Sequence, residues 1–180
     1  LKELGALEPQ EALKLTKVGE AMSVFAASAR IARLLCAGIS IQSETFCSRV
    51  AALIMEADNK HNNVDLSEQL ATFSSNKNKP LGKTQQQLRQ QINKVNSALV
   101  DHLQKTSMKL TLSESESLAY LLACAFPDRI AKQQSLNSSA QWQDYKLANG
   151  RLAQLHKSQP LAQAEFIIAL ETGGNAKFNK

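Results

Sequence analysis

The sequence has few glycines and few aromatic residues. Of its 180 residues, 7 are glycine and 5% are aromatic. An all-β sandwich uses more of both for its turns and its core, so this scarcity favours helices. The remaining composition, 43% hydrophobic and 21% charged, is ordinary for a globular chain. The length allows one domain with an appendage or two small domains.

Long apolar runs and paired cysteines are also missing. The best apolar stretch, residues 118–126, is about half as long as a membrane helix and contains Tyr120. Cys36, Cys47 and Cys124 are odd in number, far apart and set in apolar runs. This usage predicts reduced, buried thiols rather than a disulfide framework. We therefore expect a cytoplasmic protein with no membrane association.

The chain lacks the patterns that catalytic and metal sites require. His61, His102 and His156 are scattered, and none forms a close pair with another histidine or with a cysteine. A zinc ion needs three or four such ligands. Neither a nucleophile elbow nor a paired-carboxylate pattern is found. The sequence predicts no catalytic residue, no metal site and no bound cofactor in this chain.

One short motif matches the end of a phosphate-binding loop. Gly82-Lys83-Thr84 fits the last positions of the Walker A pattern, but Lys77 stands where that pattern requires its first glycine. No apolar strand precedes the motif, so backbone N–H groups are not expected to converge on a phosphate. We interpret Lys83 as part of a basic surface and Thr84 as a helix N-cap.

The excess of positive charge lies in less than a fifth of the chain. The formal net charge is +5, and residues 77–109, called the basic segment below, hold seven basic residues against the single acidic Asp101. Such a cluster can neutralise phosphates without reading sequence. The alternative is a solvated helix face. The candidate nucleic-acid contacts are Lys77, Lys79, Lys83, Arg89, Lys94, Lys105 and Lys109.

Helical signals begin near the start of the chain. Thr16 is predicted to cap a short helix that reaches Met22. The amphipathic pattern in residues 30–35 predicts a second helix, which Gly38 can end. Apolar residues at spacings of three and four after Ser43 predict a third helix.

Two further helices have capping-box signals. Asp65 with Glu68, and Ser113 with Glu116, have the spacing in which two side chains satisfy each other's helix-start N–H groups. Pro127 is expected to end the second of these helices near the residue before it.

The clearest periodic element lies in the basic segment. A stripe of apolar residues predicts one continuous helix from about Thr84 to Lys105. At 100° per residue, Lys94 and Lys105 fall within about 20° of each other on the side away from the stripe. The stripe consists of Leu88, Ile92, Val95, Leu99 and Leu103.

The sequence pattern changes from helical to β-type after residue 134. Residues 145–147 and 151–155 flank Asn149-Gly150, which predicts a two-residue hairpin turn with positive φ at both central residues. The β-rich run 166–170 predicts a third strand. The predicted fold class is therefore mainly α, a helical bundle followed by a small C-terminal antiparallel β segment.

Four residues near this change have structural interpretations. Asp128 and Arg129 form a turn at a helix end, where they can satisfy carbonyl groups and hold the next segment by an ion pair. Trp142 and Tyr145 can stack on a base, but burial between the sheet and the helices is the more common fate of such residues.

Three segments of the C-terminal half resemble one helicase family. Residues 121–132 resemble the segment of HrpB-type DEAH-box RNA helicases in which an apolar helix ends in Pro-Asp-Arg-Ile/Val-Ala. Residues 145–151 are similar to the Leu-Ala-Asn-Gly-Arg hairpin of that family. Residues 160–162 with 166–170 are similar to its next pair of strands. The order and spacing of the segments also agree.

The N-terminal end is similar to a more general DEAH-box pattern. Residues 4–7, 15–19 and 30–35 correspond to Leu-Gly-Ala-Leu, Leu-Thr-x-Leu-Gly and an Arg-Leu-Ala helix. Ala29 stands where the pattern usually has proline, and residues 60–112 show little that matches. The sequence begins at Leu1 without an initiator methionine, and further leucines follow closely. We therefore expect it to be an internal piece of a longer protein.

The resemblance implies a domain assignment and a function. Residues 1–27 would be the end of a winged helix, 28–134 the HA2 or ratchet bundle, and 135–180 the start of an OB-like or family-specific β domain. In this family two RecA-like domains bind ATP and Mg²⁺, and the bundle packs on them and helps to line the single-stranded RNA channel. The chain would then guide RNA within an ATP-dependent helicase and be inactive alone. The alternative is a helical protein-interaction scaffold that binds no nucleic acid.

Overall fold

The computed structural model describes residues 1–9, 14–56, 65–75, 82–106, 111–134 and 141–170. The chain divides into two compact units, Leu1–Ala125 and Phe126–Lys180, called the helical unit and the sheet unit below. Seven α-helices and a four-stranded antiparallel sheet are found in the described ranges, so the predicted fold class is confirmed. The assignment of winged-helix, ratchet and β domains stays a prediction.

The helical unit is built around its second helix. Helix α2 packs against α1, α3, α6 and α7, and its Leu34, Leu35 and Ile39 are 0–1% exposed. Burying an aliphatic side chain of this size contributes about 2 kcal/mol. No helix in the described ranges is both long and apolar enough to cross a membrane. The helices are α1 (Lys17–Met22), α2 (Ala29–Ser40), α3 (Glu44–Glu56), α4 (Leu66–Ser75), α5 (Lys83–Ile92), α6 (Ser97–Thr106) and α7 (Glu114–Ala125).

Gly38 lies inside α2, so the prediction that it ends this helix is wrong. A Cβ atom added at Gly38 would overlap the Cβ and Sγ of Cys47 on α3. The glycine therefore allows two packed helices to approach closely, and the modest helix-propensity penalty of glycine is tolerated for that reason.

Two predicted helix starts are confirmed in detail. The Thr16 hydroxyl accepts a hydrogen bond from the Gly19 N–H at 2.9 Å, and α1 ends at Met22. At α7, Glu116 Oε2 accepts from the Ser113 N–H at 2.8 Å, and Ser113 Oγ accepts from the Glu116 N–H at 3.3 Å. These contacts form a reciprocal capping box. The hydrogen bonds from Ser113 also lower the pKa of the Glu116 carboxyl.

Other predicted helix boundaries are also observed. Helix α3 begins directly after Ser43, and α7 ends at Ala125, two residues before Pro127. At the start of α4, Asp65 Oδ1 accepts hydrogen bonds from the N–H and the hydroxyl of Ser67 at 2.8 and 2.6 Å. Side chains therefore satisfy helix-start donors that have no partner within the helix.

The three cysteines are free thiols. Cys36 and Cys47 are fully buried, as predicted, whereas Cys124 is half-buried. Burial raises the pKa of Cys36 to about 12 and also raises the pKa of Cys47. The two buried thiols therefore stay protonated at neutral pH and act as small apolar core residues.

The sheet unit begins with a 3₁₀ turn at Pro127–Arg129 and contains β1 (Ile130–Gln133), β2 (Trp142–Leu147), β3 (Leu152–His156) and β4 (Phe166–Ile168). The strands are antiparallel in the order β3-β2-β1-β4. Strands β2, β3 and β4 correspond to the three predicted strands. Strand β1 has no counterpart among them, and it pairs with both β2 and β4.

The β2–β3 hairpin has a three-residue loop, so the predicted two-residue turn is wrong. The Leu147 N–H donates to the Arg151 carbonyl at 2.8 Å, and the Gly150 N–H donates to the Leu147 carbonyl at 2.9 Å. Of the two residues expected at positive φ, Gly150 has φ +85° and Asn149 does not have positive φ. A type I turn followed by a left-handed glycine is the usual form of such a loop.

The two faces of the sheet have different surroundings. Side chains alternate between the faces along each strand. One face carries Ala131, Tyr145 and Leu147, which are 0–3% exposed and form the core of the sheet unit. The opposite face, called the outer face below, carries the exposed residues Lys132, Trp142, Lys146, Leu152 and Phe166.

Candidate nucleic-acid interface

Helix α5 presents the first part of the basic segment. Leu88 and Ile92 are one helical turn apart and buried, which fixes the inner face of this helix. Lys83 and Arg89 are exposed. The N-cap of α5 is Gly82, which makes no side-chain cap, so the prediction of Thr84 as the N-cap is wrong. The helix starts one residue earlier than predicted and keeps the predicted apolar stripe.

The predicted continuous helix is interrupted after Ile92. Asn93 is the C-cap of α5, and Asn96 Oδ1 accepts a hydrogen bond from the Ala98 N–H at 2.8 Å at the start of α6. Asparagine side chains favour such positions because they bond to nearby backbone groups. Val95 is buried inside the turn, so the apolar stripe continues across the break. The prediction of a single helix from Thr84 to Lys105 is wrong.

The break changes the positions of two candidate contacts. Lys94 lies in the turn between α5 and α6, and Lys105 lies in the last turn of α6. Both are exposed. The angle of about 20° predicted between Lys94 and Lys105 around the helix axis does not apply, because it assumed one uninterrupted helix. A lysine at the C-terminal end of α6 interacts favourably with the helix dipole, which gives Lys105 a local role in helix stability as well.

Four of the seven candidate contacts are therefore placed. Lys83, Arg89, Lys94 and Lys105 are all exposed, and they are distributed over α5, the turn and α6. Lys77, Lys79 and Lys109 lie outside the described residues. The positive charge in the described part of the basic segment is thus spread over α5, the turn and α6 rather than along one helix face.

Arg89 has acidic neighbours. A surface cleft beside α5 and α6 is lined by Arg89 together with Glu44 and Asp101. Its apolar lining includes Ile92 and Val100. The two carboxylates weaken the positive potential at the Arg89 guanidinium, so Lys83, Lys94 and Lys105 are the more favourable places for a phosphate.

Gln85 is a buried polar residue that the sequence reasoning did not identify. Its side chain is 1% exposed, and its Nε2 donates a hydrogen bond to the Thr45 carbonyl at 3.4 Å. Its Oε1 has no hydrogen-bond partner in the described structure. The amide links α5 to α3 and supports the position of the helix that carries Lys83 and Arg89.

The described residues contain no group of three metal-ligand side chains close enough to hold an ion. His156 in the sheet unit is engaged locally, since its Nδ1 lies 2.7 Å from the Ser158 hydroxyl and accepts from the Ser158 N–H at 3.2 Å. The Trp142 ring makes an edge contact with the His156 ring at a centroid distance of 5.1 Å.

The two aromatic residues on β2 differ in exposure. Tyr145 is fully buried, as predicted, and its hydroxyl donates to the carbonyls of Leu161 and Ala164 at 3.1 and 2.9 Å. Burial raises the pKa of its hydroxyl. Trp142 is 42% exposed, so the expectation that it is buried is wrong.

Arg129 makes structural contacts, although the ion pair predicted for Asp128 and Arg129 stays a prediction. Its guanidinium donates a hydrogen bond to the Leu170 carbonyl and lies over the Phe126 ring, 5.5 Å from the centroid. The Asp128 carbonyl accepts from the Asn149 N–H at 3.2 Å. The 3₁₀ turn therefore binds both the β2–β3 hairpin and the residues that follow β4.

The chain is homologous to part of a DEAH-box RNA helicase, the ATP-dependent RNA helicase HrpB of Escherichia coli, with 30% identity over 169 residues. The match covers 94% of this chain and 18% of that helicase. No protein-family model matches the chain.

Solved structures lead to the same relative. The crystal structure of the E. coli DExH-box NTPase HrpB superimposes with a TM-score of 0.64, and that of the Escherichia coli DEAH/RHA helicase HrpB with 0.61. Each is 28% identical, and each match covers 94% of this chain and 18% of the solved chain. The chain thus spans less than a fifth of the length of its relatives.

Proposed function

We propose that this chain is an accessory module of an ATP-dependent RNA helicase that guides single-stranded RNA. The observation that carries the proposal is the homology to the RNA helicase HrpB over 94% of the chain. The exposed Lys83, Lys94 and Lys105 would contact phosphates, with Arg89 as a further contact. Lys77, Lys79 and Lys109 stay candidate contacts from the sequence alone. Such contacts hold a strand without reading its sequence.

The proposal includes a division of labour within a longer protein. ATP and Mg²⁺ would be bound by RecA-like motor domains, and the helical unit would pack on them intramolecularly and help to line the RNA channel. The chain itself would supply no catalytic group. The parent helicase would act in the cytoplasm.

A protein-interaction scaffold is the alternative function. The observation that favours it is the cleft that combines Arg89 with Glu44 and Asp101 over an apolar floor. A surface of mixed charge suits a protein partner better than a polyanion, because its carboxylates repel phosphates.

Binding to a fluorescein-labelled uridine 12-mer across a salt series tests the proposal. A triple variant, Lys83→Glu, Arg89→Glu and Lys94→Glu, should bind at least about tenfold more weakly at low salt. Its log–log salt slope should be shallower by about 0.7 for each phosphate that the variant no longer neutralises. The matched control reverses the exposed Lys2, Lys14 and Lys17 of the same unit, and should stay close to the wild type.

Two results would contradict the proposal. If the wild-type chain binds no single-stranded RNA even at low salt, the scaffold alternative is favoured. If both triple variants bind more weakly to the same degree, total charge rather than the α5–α6 surface determines binding, and the assigned contacts are wrong.

A further inference from the structure

Half of the residues of helix α5 are glutamines, and they fall into two groups. Two of them serve the fold. The Gln85 amide donates to the Thr45 carbonyl on α3, and Gln91 Oε1 accepts from the Ala26 N–H at 2.9 Å. The other three are exposed, and they are Gln86, Gln87 and Gln90.

The exposed glutamines lie on one face of α5, called the glutamine face below. At 100° per residue, all three lie within about 60° of the exposed Lys83 around the helix axis. The buried Leu88 and Ile92 lie at least about 140° from Lys83, on the opposite side. The exposed Lys94 follows in the turn directly after the helix. A row of amides therefore lies between two lysines at the ends of a helix about 15 Å long.

The composition of α5 limits how this face can hold a strand. Exposed helix faces often carry acidic and basic residues four positions apart, which stabilise each other, but α5 contains no acidic residue. Neither α5 nor α6 contains a phenylalanine, tyrosine or tryptophan. Stacking of bases on aromatic side chains is therefore not available on these two helices. The remaining contacts are hydrogen bonds and charge contacts, which most often go to the sugar–phosphate backbone.

Glutamine amides match one chemical group that distinguishes RNA from DNA. The side-chain amide has an acceptor oxygen and two N–H donors. The ribose 2′-hydroxyl is both a donor and an acceptor, and deoxyribose lacks it. If the lysines at the two ends bind phosphates, the amides between them lie beside the sugars that connect those phosphates.

We propose that the glutamine face binds ribose 2′-hydroxyls and so makes the α5–α6 surface prefer single-stranded RNA over single-stranded DNA. Gln86, Gln87 and Gln90 are the specificity-determining residues. Lys83 and Lys94 bind phosphates of either nucleic acid. The inference rests on the proposed RNA-guiding function and adds a basis for sugar selection at the same surface.

Acidic neighbours restrict the strand to this face. A Cβ atom built at Gly82 would lie 3.4 Å from Glu56 Oε1, so a carboxylate lies beside the N-terminal end of α5. Glu44 and Asp101 lie in the cleft beside Arg89, which is about 120° from Lys83 around the helix. Carboxylates repel phosphates, so the strand is expected along the glutamine face rather than at the helix end or in the cleft.

Two oligomers that differ only in the 2′-hydroxyls test the inference. The full 180-residue chain should bind a fluorescein-labelled uridine 12-mer at least about fivefold more tightly than the matching deoxyuridine 12-mer, because the hydroxyls add hydrogen bonds. The ratio of the two affinities should stay nearly constant across a salt series, since both oligomers carry the same phosphates.

A triple variant, Gln86→Ala, Gln87→Ala and Gln90→Ala, removes the amides without changing the charge. Alanine favours helix, so α5 should be retained. The affinity of this variant for the uridine 12-mer should fall to that for the deoxyuridine 12-mer, whose binding should not change. The matched control is Gln91→Ala on the same helix, which should lower the melting temperature but keep the wild-type ratio. Thermal unfolding confirms that each variant is folded.

The outcomes distinguish this inference from the proposed function. Equal affinity of the wild-type chain for the two oligomers overturns the inference and leaves the proposed function intact. A wild-type ratio in the triple alanine variant overturns it too, because another surface then selects the sugar. Equally weaker binding of both oligomers by that variant means that the amides contact phosphates or bases instead, which also overturns it. No binding of either oligomer at low salt overturns the proposed function and the inference together.

Discussion

At the scale of single residues, Tyr145 and Trp142 show how burial is decided on a short strand. They lie three positions apart on β2, so they point to opposite faces. The alternation of this strand is visible in the sequence. Which face is buried depends on the segment around Pro160–Gln163, where the carbonyls of Leu161 and Ala164 accept the tyrosine hydroxyl. Those contacts are distant in sequence, so the exposure of Trp142 was not predicted.

The buried hydroxyl of Tyr145 gives a prediction about pH. Burial raises its folded-state pKa above the ordinary value of 10.0. The unfolded chain therefore ionises first, and the stability from this group is complete below pH 10 and is lost as pH rises through the folded-state pKa. We expect the free energy of unfolding in urea to fall above pH 10 for the wild type and less steeply for Tyr145→Phe.

Tyr145→Phe should also lower the stability of the chain at neutral pH. It removes the hydrogen bonds to two carbonyls and should lower the free energy of unfolding by about 1 kcal/mol. Tyr120→Phe, the variant of the second tyrosine, is the control and should keep the fall above pH 10. If Tyr145→Phe and the wild type share the same pH profile, the buried hydroxyl does not contribute this dependence.

Gly38 and Gln85 mark the limit of residue-level prediction. Glycine commonly ends helices, and the interpretation of Gly38 followed that tendency. Glutamine is usually exposed, so nothing in the sequence singled out Gln85. In the structure Gly38 allows Cys47 to approach α2, and the Gln85 amide reaches the Thr45 carbonyl on α3. Both roles depend on a neighbouring helix, which one sequence does not reveal.

At the scale of elements, the basic segment shows how periodicity conceals a break. The apolar stripe is real, since Leu88, Ile92, Val95 and Leu103 are all buried. It continues through the turn because Val95 is buried there as well. Asn93 and Asn96 prefer helix ends, and they are the sequence signal for the break. The exposure of the described basic residues did not depend on this error.

The β elements were predictable where turn residues constrain the backbone. Asn149-Gly150 located the β2–β3 hairpin, although the loop has three residues. Strand β1 was missed because Ile130–Gln133 is four residues long and holds alanine, lysine and glutamine. None of these three is a strong strand former. Pairing with β2 and β4 determines its conformation.

The capping box of α7 gives a prediction at this scale. Ser113→Ala removes the acceptor for the Glu116 N–H and should lower the free energy of unfolding by about 1 kcal/mol in thermal or urea unfolding.

Glu116→Gln should change how the stability of the chain depends on acid pH. Its folded-state pKa is lowered, so its stabilising effect is present above the ordinary value of 4.5 and is lost as pH falls through the folded-state pKa.

Glu114 provides the matched control for this helix start. It lies in the first turn of α7, and the box contacts are made by Ser113 and Glu116. Glu114→Gln should therefore keep the acid dependence that Glu116→Gln reduces. An equal reduction in both variants would show that the helix dipole, rather than the box, determines the response to acid.

At the scale of the whole molecule, the relationship to HrpB was visible in short turn motifs rather than in composition. The segment 121–132 contains the end of α7, the 3₁₀ turn and the start of β1, and residues 145–151 contain the β2–β3 hairpin. Proline, glycine and asparagine favour turn conformations, so these motifs can be located in a sequence by residue type. Residues 60–112 match little of the family pattern, since many different apolar residues can fill the buried face of a helix.

The basic segment was found by counting charge along the chain, because its basic residues lie close together in the sequence. The outer face of the sheet was not, because its lysines and aromatic residues are spread over β1, β2 and β4 and are brought together by strand pairing.

The last prediction concerns ATP. Gly82 is the N-cap of α5, and Lys77 occupies the position where a Walker A loop needs glycine, so Lys83 has no glycine-rich loop with which to hold a phosphate. The chain with Mg²⁺ and ATP should therefore release no phosphate above background, with or without the uridine 12-mer. Lys83→Ala is the decisive control. Turnover that persists in this variant comes from a contaminant, whereas turnover that Lys83→Ala abolishes would mean that the chain holds a nucleotide site of its own.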